Sequence, residues 1–257
     1  MRIFFVGAGE KNLSLQYVQP IKVPSDEAAH PVLDNLKIKK STAGIKYQSL
    51  AQSIEFFLEA FPGGLYGDKF NRHEREYKDQ AHVLGQTLLG QKAFSTLLEA
   101  HEYAEIGKRA LKSANATNLI FPNENMALKD GLATEGAPRA FATSLYQLLH
   151  GEGALDERFL AFADVLEELG AAKWTTATYF IFICKPAEYM FVKPTITQYA
   201  AELCGFEINY KPQLNWLTYK SVLEFSKYLF SEIAALKPRD MIDVQSFMWC
   251  IAPGTYA

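Results

Sequence analysis

The longest apolar run in the chain lies in the segment Ala171–Cys184, which reads AAKWTTATYFIFIC. Its apolar part, TYFIFIC, is much shorter than the about 20 residues that a membrane-spanning helix needs. We therefore expect a buried helix at the centre of the protein. Two aromatic-rich segments follow it, Asn215–Tyr219 and Arg239–Trp249, and we expect both to pack around this helix.

Composition narrows the class of protein. The chain has 257 residues, of which 49% are hydrophobic and 21% charged, so it is long and apolar enough to form a core. The net charge of -3 excludes a uniformly basic nucleic-acid coat but not a local basic face. Cys184, Cys204 and Cys250 lie in apolar surroundings without a CxxC pair, which indicates reduced core thiols. We expect a cytoplasmic protein with no metal and no membrane anchor.

Residues 1–46 show a strand-like pattern interrupted by glycine and proline, which predicts a small β-strand and loop segment packed on the rest of the chain. The turn VGAGE at residues 6–10 lacks the third glycine of a dinucleotide site, so we expect no cofactor there. The lysines between Lys37 and Lys46 form either a solvated face or a phosphate contact. Residues 47–257 are predicted to be one helical domain.

The helical period starts at Tyr47, where apolar residues recur at steps of three and four until Pro62. Similar amphipathic patterns predict helices over residues 94–116, 138–151 and 156–169. The predicted fold class is therefore mainly α.

A charged segment follows the first of these helices. Helical spacing places Tyr77 and Lys78 on one side together with Glu74, Ala81 and His82. Such a face is either solvated or lines a site. No second histidine stands at metal-binding spacing from His82, so a metal site is not expected here.

From Gly170 onward the chain shows a turn, an apolar helix, a proline-containing loop, the dipeptide Val192-Lys193 before Pro194, and a helix that ends at Gly205. Over this stretch the sequence resembles the helix-hairpin-helix DNA glycosylase superfamily. The resemblance implies a helical body of the glycosylase type, double-stranded DNA as partner, and excision of a base by cleavage of its N-glycosidic bond without a cofactor.

The likeness also assigns candidate catalytic residues. In that family a Val-Asp at a helix start carries the catalytic carboxylate, and alignment on Thr176-Ala177 puts Val192-Lys193 there. The family's hairpin lysine is replaced by Thr175, with Lys173 nearby, and most hairpin glycines are missing. A lysine amine with a lowered pKa can instead attack the sugar and form a Schiff base. The apolar neighbours of Lys193 favour the required desolvation.

The missing carboxylate is expected from Asp240 or Asp243 in the last aromatic-rich segment. Asp243 stands among apolar residues, and a buried carboxylate needs a partner. Two structural alternatives stay open: Asp240 is the N-cap of a helix, and Lys193 only precedes a helix that starts at Pro194.

Several further residues are candidates for contacts with the base or the DNA. Aromatic rings can stack on an extruded base, although aromatic residues at helical spacing are also typical of a core. The candidate substrate- or DNA-binding residues are Lys173, Trp174, Trp216, Tyr219, Gln245, Tyr77 and Lys78.

The leading hypothesis is a DNA glycosylase that removes a modified base, with a lyase step if Lys193 forms a Schiff base. An altered catalytic pair suits an unusual base, which extends the hypothesis to defence against modified phage DNA. The alternatives are a non-catalytic DNA-binding module that kept the fold, and a helical protein-interaction scaffold.

Overall fold

Helices form most of the part of the chain that the computed structural model describes, residues 49–256. No β-strand occurs within that range, and the prediction of a mainly α fold is confirmed for it. The strand segment, the VGAGE turn and the lysine cluster predicted before residue 47 lie outside the described residues.

The helices follow one another along the described part of the chain. They are α1 (Leu50–Ala60), α2 (Asp68–Phe70), α3 (Glu76–Leu89), α4 (Gln91–Glu99), α5 (Tyr103–Ala114), α6 (Pro122–Gly131), α7 (Ala137–His150), α8 (Leu155–Glu168), α9 (Trp174–Cys184), α10 (Pro194–Leu203), α11 (Trp216–Glu232) and α12 (Met241–Cys250). Short 3-10 turns at Gly64–Tyr66 and Ala234–Leu236 complete the body.

Residues next to helix α1 fix both of its ends. The Ser49 hydroxyl accepts a hydrogen bond from the Gln52 backbone N–H, and the Gln52 side chain accepts one from the Ser49 N–H. This reciprocal capping box satisfies two backbone donors that the first turn leaves free. Pro62 and Gly63 follow the helix, and the left-handed φ of +86° at Gly63 suits glycine, which has no Cβ to clash.

The single helix predicted over residues 94–116 is wrong, since the structure has two helices there. The chain turns between α4 and α5, where His101 takes a left-handed φ of +57°. The Glu102 N–H donates to the Leu97 carbonyl at 2.9 Å and closes this turn. Both helices pack against α7. No glycine or proline lies between Glu99 and Tyr103 to break a helix, so we attribute the break to tertiary packing.

Helix α9 is the predicted buried helix, and the structure confirms it. Every residue from Trp174 to Cys184 is buried, and α3, α5, α7 and α8 pack around the helix. The ring of Phe180 packs edge-on against Phe141 and Phe162, at centroid distances of 6.1 and 6.3 Å. Such edge-to-face contacts add to the burial of apolar area.

A π-helical turn at Asn71–Arg75 joins α2 to α3 without a break in the helical rod. The turn packs against α12 and directs the buried side chains of Glu74 and Arg75 towards that helix. Single π-helical turns are rare and are frequent at functional sites. This turn therefore fixes the positions of two charged residues, Glu74 and Arg75.

The loop before α10 is anchored to the central helix. The Val192 N–H donates to the Thr178 hydroxyl of α9 at 2.9 Å. The next residue, Lys193, has extended backbone angles and is the N-cap of α10, while Pro194 is its first residue. Proline suits that position because its missing N–H would be unpaired there in any case.

Truncation of the central helix should destabilise the fold strongly. We expect Phe180→Ala to lower the free energy of unfolding by about 3–5 kcal/mol, because it leaves a cavity in the core. Val83→Ala is the control, since Val83 is 64% exposed and should change stability by less than about 0.5 kcal/mol. Urea denaturation followed by circular dichroism measures both, and equal losses would contradict the buried position of α9.

Candidate active site

A polar cavity of about 240 Å³ lies between the π-helical turn, the loop between α5 and α6, the start of α10, helix α12 and the C-terminal turn. It is lined by His73, Glu74, Tyr77, Lys78, Asn118, Leu119, Lys193, Gln245, Trp249 and Tyr256. Four residues predicted from the sequence meet there: Lys193, Gln245, Tyr77 and Lys78. The volume is below the about 300–1,000 Å³ typical of pockets for drug-sized ligands, so it suits one small ring system.

Lys193 is held between two aromatic rings in this cavity. Its Nζ lies 4.7 Å from the ring centroid of Phe121 and 4.9 Å from that of Trp249, within cation–π range. Burial lowers the pKa of Lys193, and the negative charge of Glu124 partly opposes this shift. Lys193 has no ion pair among the described residues. Its amine is therefore partly desolvated and carries no competing salt bridge.

Glu74 and Lys78 form a buried ion pair on another wall of the cavity. The Lys78 Nζ lies 3.2 Å from Glu74 Oε2 and donates to the Ser246 hydroxyl at 2.7 Å. The Tyr256 hydroxyl donates to Glu74 Oε1 at 2.9 Å. Burial lowers the pKa of Lys78, while the charge of Glu74 acts to raise it. Glu74 is thus a carboxylate that lines the same cavity as Lys193.

Glu74 and Tyr256 are among the cavity residues that the sequence did not propose as site residues. Helical spacing already placed Glu74 on one face with Tyr77 and Lys78, so its pattern carried a signal. The sequence gives no such signal for Tyr256, because this residue reaches the site only through the fold of the C-terminal turn. Tyr77 is partly buried with its ring 5.2 Å from Lys78 Nζ, and burial raises the pKa of its phenol, which stays neutral.

Gln245 is a buried polar residue on an otherwise apolar helix. Its side chain lines the cavity, although the residue is only 2% exposed. The amide oxygen Oε1 is buried and has no hydrogen-bond partner among the described residues. An unpaired buried oxygen is unfavourable by about 1–3 kcal/mol unless something supplies a donor.

Asp243, a predicted catalytic residue, lies in a different cluster. Its carboxylate is fully buried and accepts hydrogen bonds from the Arg239 N–H and Nε, each at 2.8 Å, and from Arg75 Nη1 at 3.1 Å. Its oxygens are therefore occupied by donors from the protein. Asp243 is not among the residues that line the cavity, so the structure does not bring it to Lys193.

Asp240, the other predicted carboxylate, caps α12. Its side chain accepts from the backbone N–H groups of Ile242 and Asp243, and it forms an ion pair with Arg75 at 2.7 Å. The N-cap alternative is confirmed by this geometry. Asp240 also does not line the cavity.

Three of the predicted stacking residues belong to an aromatic cluster around Phe159. The ring of Tyr219 stacks on Phe159 at 4.5 Å, and Trp174 and Trp216 lie at 6.2 Å from it. None of the three lines the cavity. Their contacts agree with the core alternative. Lys173 is exposed at the N-cap of α9 and also lies outside the cavity.

Comparisons with known proteins do not identify the chain. No protein-family model matches it, and no curated protein or solved structure does so either. Within residues 49–256 no helix is long and apolar enough to cross a membrane. In the same residues no group of three or more histidine, cysteine or acidic side chains is arranged to hold a metal ion.

The cluster around Asp243 should matter for stability. We expect Asp243→Asn to cost about 3 kcal/mol, because Arg239 loses its ion pair and the buried Arg75 loses one of its counter-charges. Asp79→Asn is the matched control, since Asp79 pairs with the same Arg75 but is 47% exposed, and it should cost less than about 1 kcal/mol. Guanidinium chloride denaturation separates the two, and a neutral Asp243→Asn would contradict the structural role.

The amine of Lys193 should titrate below the ordinary lysine value of 10.5. Burial disfavours its charged form, so the neutral amine appears at lower pH than in a solvated lysine. Reductive methylation with ¹³C followed by NMR titration measures this, and Lys193→Arg identifies the signal by its loss. A signal that titrates at or above the ordinary value would show that the site does not desolvate the amine.

Proposed function

We propose that the protein is a DNA glycosylase-like enzyme that takes a base out of duplex DNA and cleaves its N-glycosidic bond, with Lys193 as nucleophile. The observation that carries this proposal is the Lys193 amine, which is partly buried, has a lowered pKa and faces a cavity of about 240 Å³. A lysine activated by desolvation is suited to attack on carbon and to Schiff-base formation. The resemblance over residues 170–205 supports the same reaction class.

In the proposed reaction the lone pair of the neutral amine forms a bond to C1′ of the deoxyribose. The bond between C1′ and the base nitrogen breaks, and its electron pair leaves with the base, which takes up a proton. The bound amine then loses a proton and its lone pair forms the C=N bond of the Schiff base, while the C1′–O4′ bond breaks and O4′ takes up a proton. Water then releases Lys193, or elimination of the 3′ phosphate gives lyase activity.

The aromatic rings at Lys193 supply surfaces for an extruded base. Phe121 is 50% exposed and lies against Lys193, while Trp249 lines the cavity and is partly exposed. Stacking on such rings recovers part of the cost of taking a base out of the duplex, which is a few kcal/mol. Double-stranded DNA is therefore the proposed partner.

Glu74 is the proposed carboxylate of the reaction, in place of Asp240 or Asp243. A carboxylate near the sugar stabilises the positive charge that develops when the glycosidic bond breaks. Glu74 lines the cavity, whereas both aspartates are bound by arginine side chains outside it. Tyr256 and Lys78 hold the Glu74 carboxylate in place from either side.

The proposal extends to a modified base as substrate, including the modified bases of phage DNA. The helix-hairpin-helix DNA glycosylases that the sequence resembles carry a carboxylate at the position of Lys193. An enzyme with lysine there differs at the reacting atoms, which suits an unusual substrate. A cytoplasmic location fits the unpaired thiols of Cys184, Cys204 and Cys250.

Base excision can be tested directly on duplexes that each contain one modified base. We expect abasic sites from at least one duplex and a covalent protein–DNA adduct when borohydride is added. Lys193→Ala should abolish the adduct, while Lys173→Ala, an exposed lysine outside the cavity, should keep it. An adduct that persists in Lys193→Ala would remove Lys193 as nucleophile. Salt-sensitive DNA binding without abasic sites would instead indicate a non-catalytic module, and no DNA affinity a protein scaffold.

The role of Glu74 has its own test on the duplex that is cleaved. We expect Glu74→Gln to lower the single-turnover rate at saturating DNA by about 10²-fold, because the charge at the sugar is lost. Asp240→Asn, which alters a carboxylate outside the cavity, should leave the rate of the folded protein nearly unchanged. Thermal melting checks that Glu74→Gln is folded. If Asp240→Asn were slowed and Glu74→Gln were not, Asp240 and not Glu74 would be the carboxylate of the reaction.

A further inference from the structure

The carboxamide of Gln245 has a buried oxygen without a hydrogen-bond partner among the described residues. Gln245 lies on α12 between buried apolar residues, where an apolar side chain would pack without penalty. Its Oε1 is buried and unpaired among the described residues, and the side chain faces the cavity. Buried polar groups in folded proteins are normally hydrogen-bonded, so the exception points to a ligand that supplies the donor.

Helix geometry places this amide beside the reacting group. Gln245 and Trp249 are four residues apart and so lie on the same face of α12. Lys193 Nζ lies 4.9 Å from the Trp249 ring. A planar ligand that is hydrogen-bonded to Gln245 therefore lies next to both Trp249 and Lys193.

The chemistry of the amide defines the edge that it can bind. A carboxamide presents an acceptor, Oε1, next to a donor, the Nε2 amino group, and both can bond to one ligand. The complementary edge carries an N–H donor next to a carbonyl or ring-nitrogen acceptor. Glutamine and asparagine recognise base edges in this bidentate way. The Watson–Crick edge of each unmodified base has such a pair of groups.

We infer that the cavity binds a nucleobase whose Watson–Crick edge is free, with Gln245 as the residue that reads this edge. This inference rests on the proposed function in taking the ligand to be a base. It narrows the substrate class to bases that carry their modification away from the pairing edge, such as at C5 of a pyrimidine. Bases alkylated at a ring nitrogen of the pairing edge are excluded, because they lose one member of the adjacent donor–acceptor pair that the carboxamide binds.

The test uses two small probes and the full chain. In 1-methyluracil the methyl group stands where the sugar would be and N3–H is free, whereas 1,3-dimethyluracil has this donor blocked. Binding is followed by NMR through the indole N–H signal of Trp249, which is assigned by its loss in Trp249→Phe. We expect 1-methyluracil to bind at least about tenfold more tightly than 1,3-dimethyluracil, since a buried oxygen without a donor disfavours the second complex.

Variants then assign the preference. Gln245→Leu should make the two probes bind equally, while Gln80→Leu, an exposed glutamine outside the cavity, should keep the preference. Equal binding of the probes to the unaltered protein, or no binding of either, would overturn the inference.

The two proposals can fail separately. If DNA yields abasic sites but the two probes bind equally, the base-excision proposal stands and the edge-reading role of Gln245 is contradicted. A clear preference for 1-methyluracil without excision from any duplex would retain the recognition site and remove the glycosylase chemistry.

Discussion

The contact between the π-helical turn and α12 is the interaction on which the site depends. Two buried ionic contacts reach α12: Arg75 of the turn binds Asp243, and Lys78 of the adjoining helix α3, paired with Glu74 of the turn, donates to Ser246. Burying charges is unfavourable unless every charge is paired, so these contacts allow only one arrangement of the two elements. That arrangement brings Glu74 towards the cavity and directs Asp243 away from it. The same interface thus separates a carboxylate available to a ligand from one that serves stability.

The cavity contains polar and charged groups whose burial is unfavourable for stability. It contains a lysine amine held between aromatic rings, a buried ion pair, and an amide oxygen without a partner. Natural sequences depart from consistent packing mainly at functional or strained sites. The surrounding core around α9 is apolar and well packed, which gives the fold stability to hold these groups. The coincidence of all three in one cavity is the reason to place the chemistry there.

The resemblance to helix-hairpin-helix DNA glycosylases and the geometry meet at Lys193. The likeness selects this residue by its position before α10, and the structure gives it an environment that favours a neutral amine. The carboxylate that the family carries at the same position has no counterpart there. In the proposed enzyme its role passes to Glu74, which comes from another helix and is held by Tyr256 from the C-terminal turn.

Local signals in the sequence determined the helical body and the burial of α9. They offered the start of α10 at Pro194 and the capping role of Asp240 only as alternatives to catalytic roles. These features follow from hydrophobic period and from contacts between residues a few positions apart. Tertiary structure decided the break at His101. It also decided that Glu74 lines the cavity while Asp240 and Asp243 bind arginine outside it, because these positions depend on which helix faces meet. Arg75 binds Asp243 across 168 residues, and Tyr256 reaches Glu74 across 182. No local pattern specifies such pairs, so the residues that complete the site emerged only once the helices were packed.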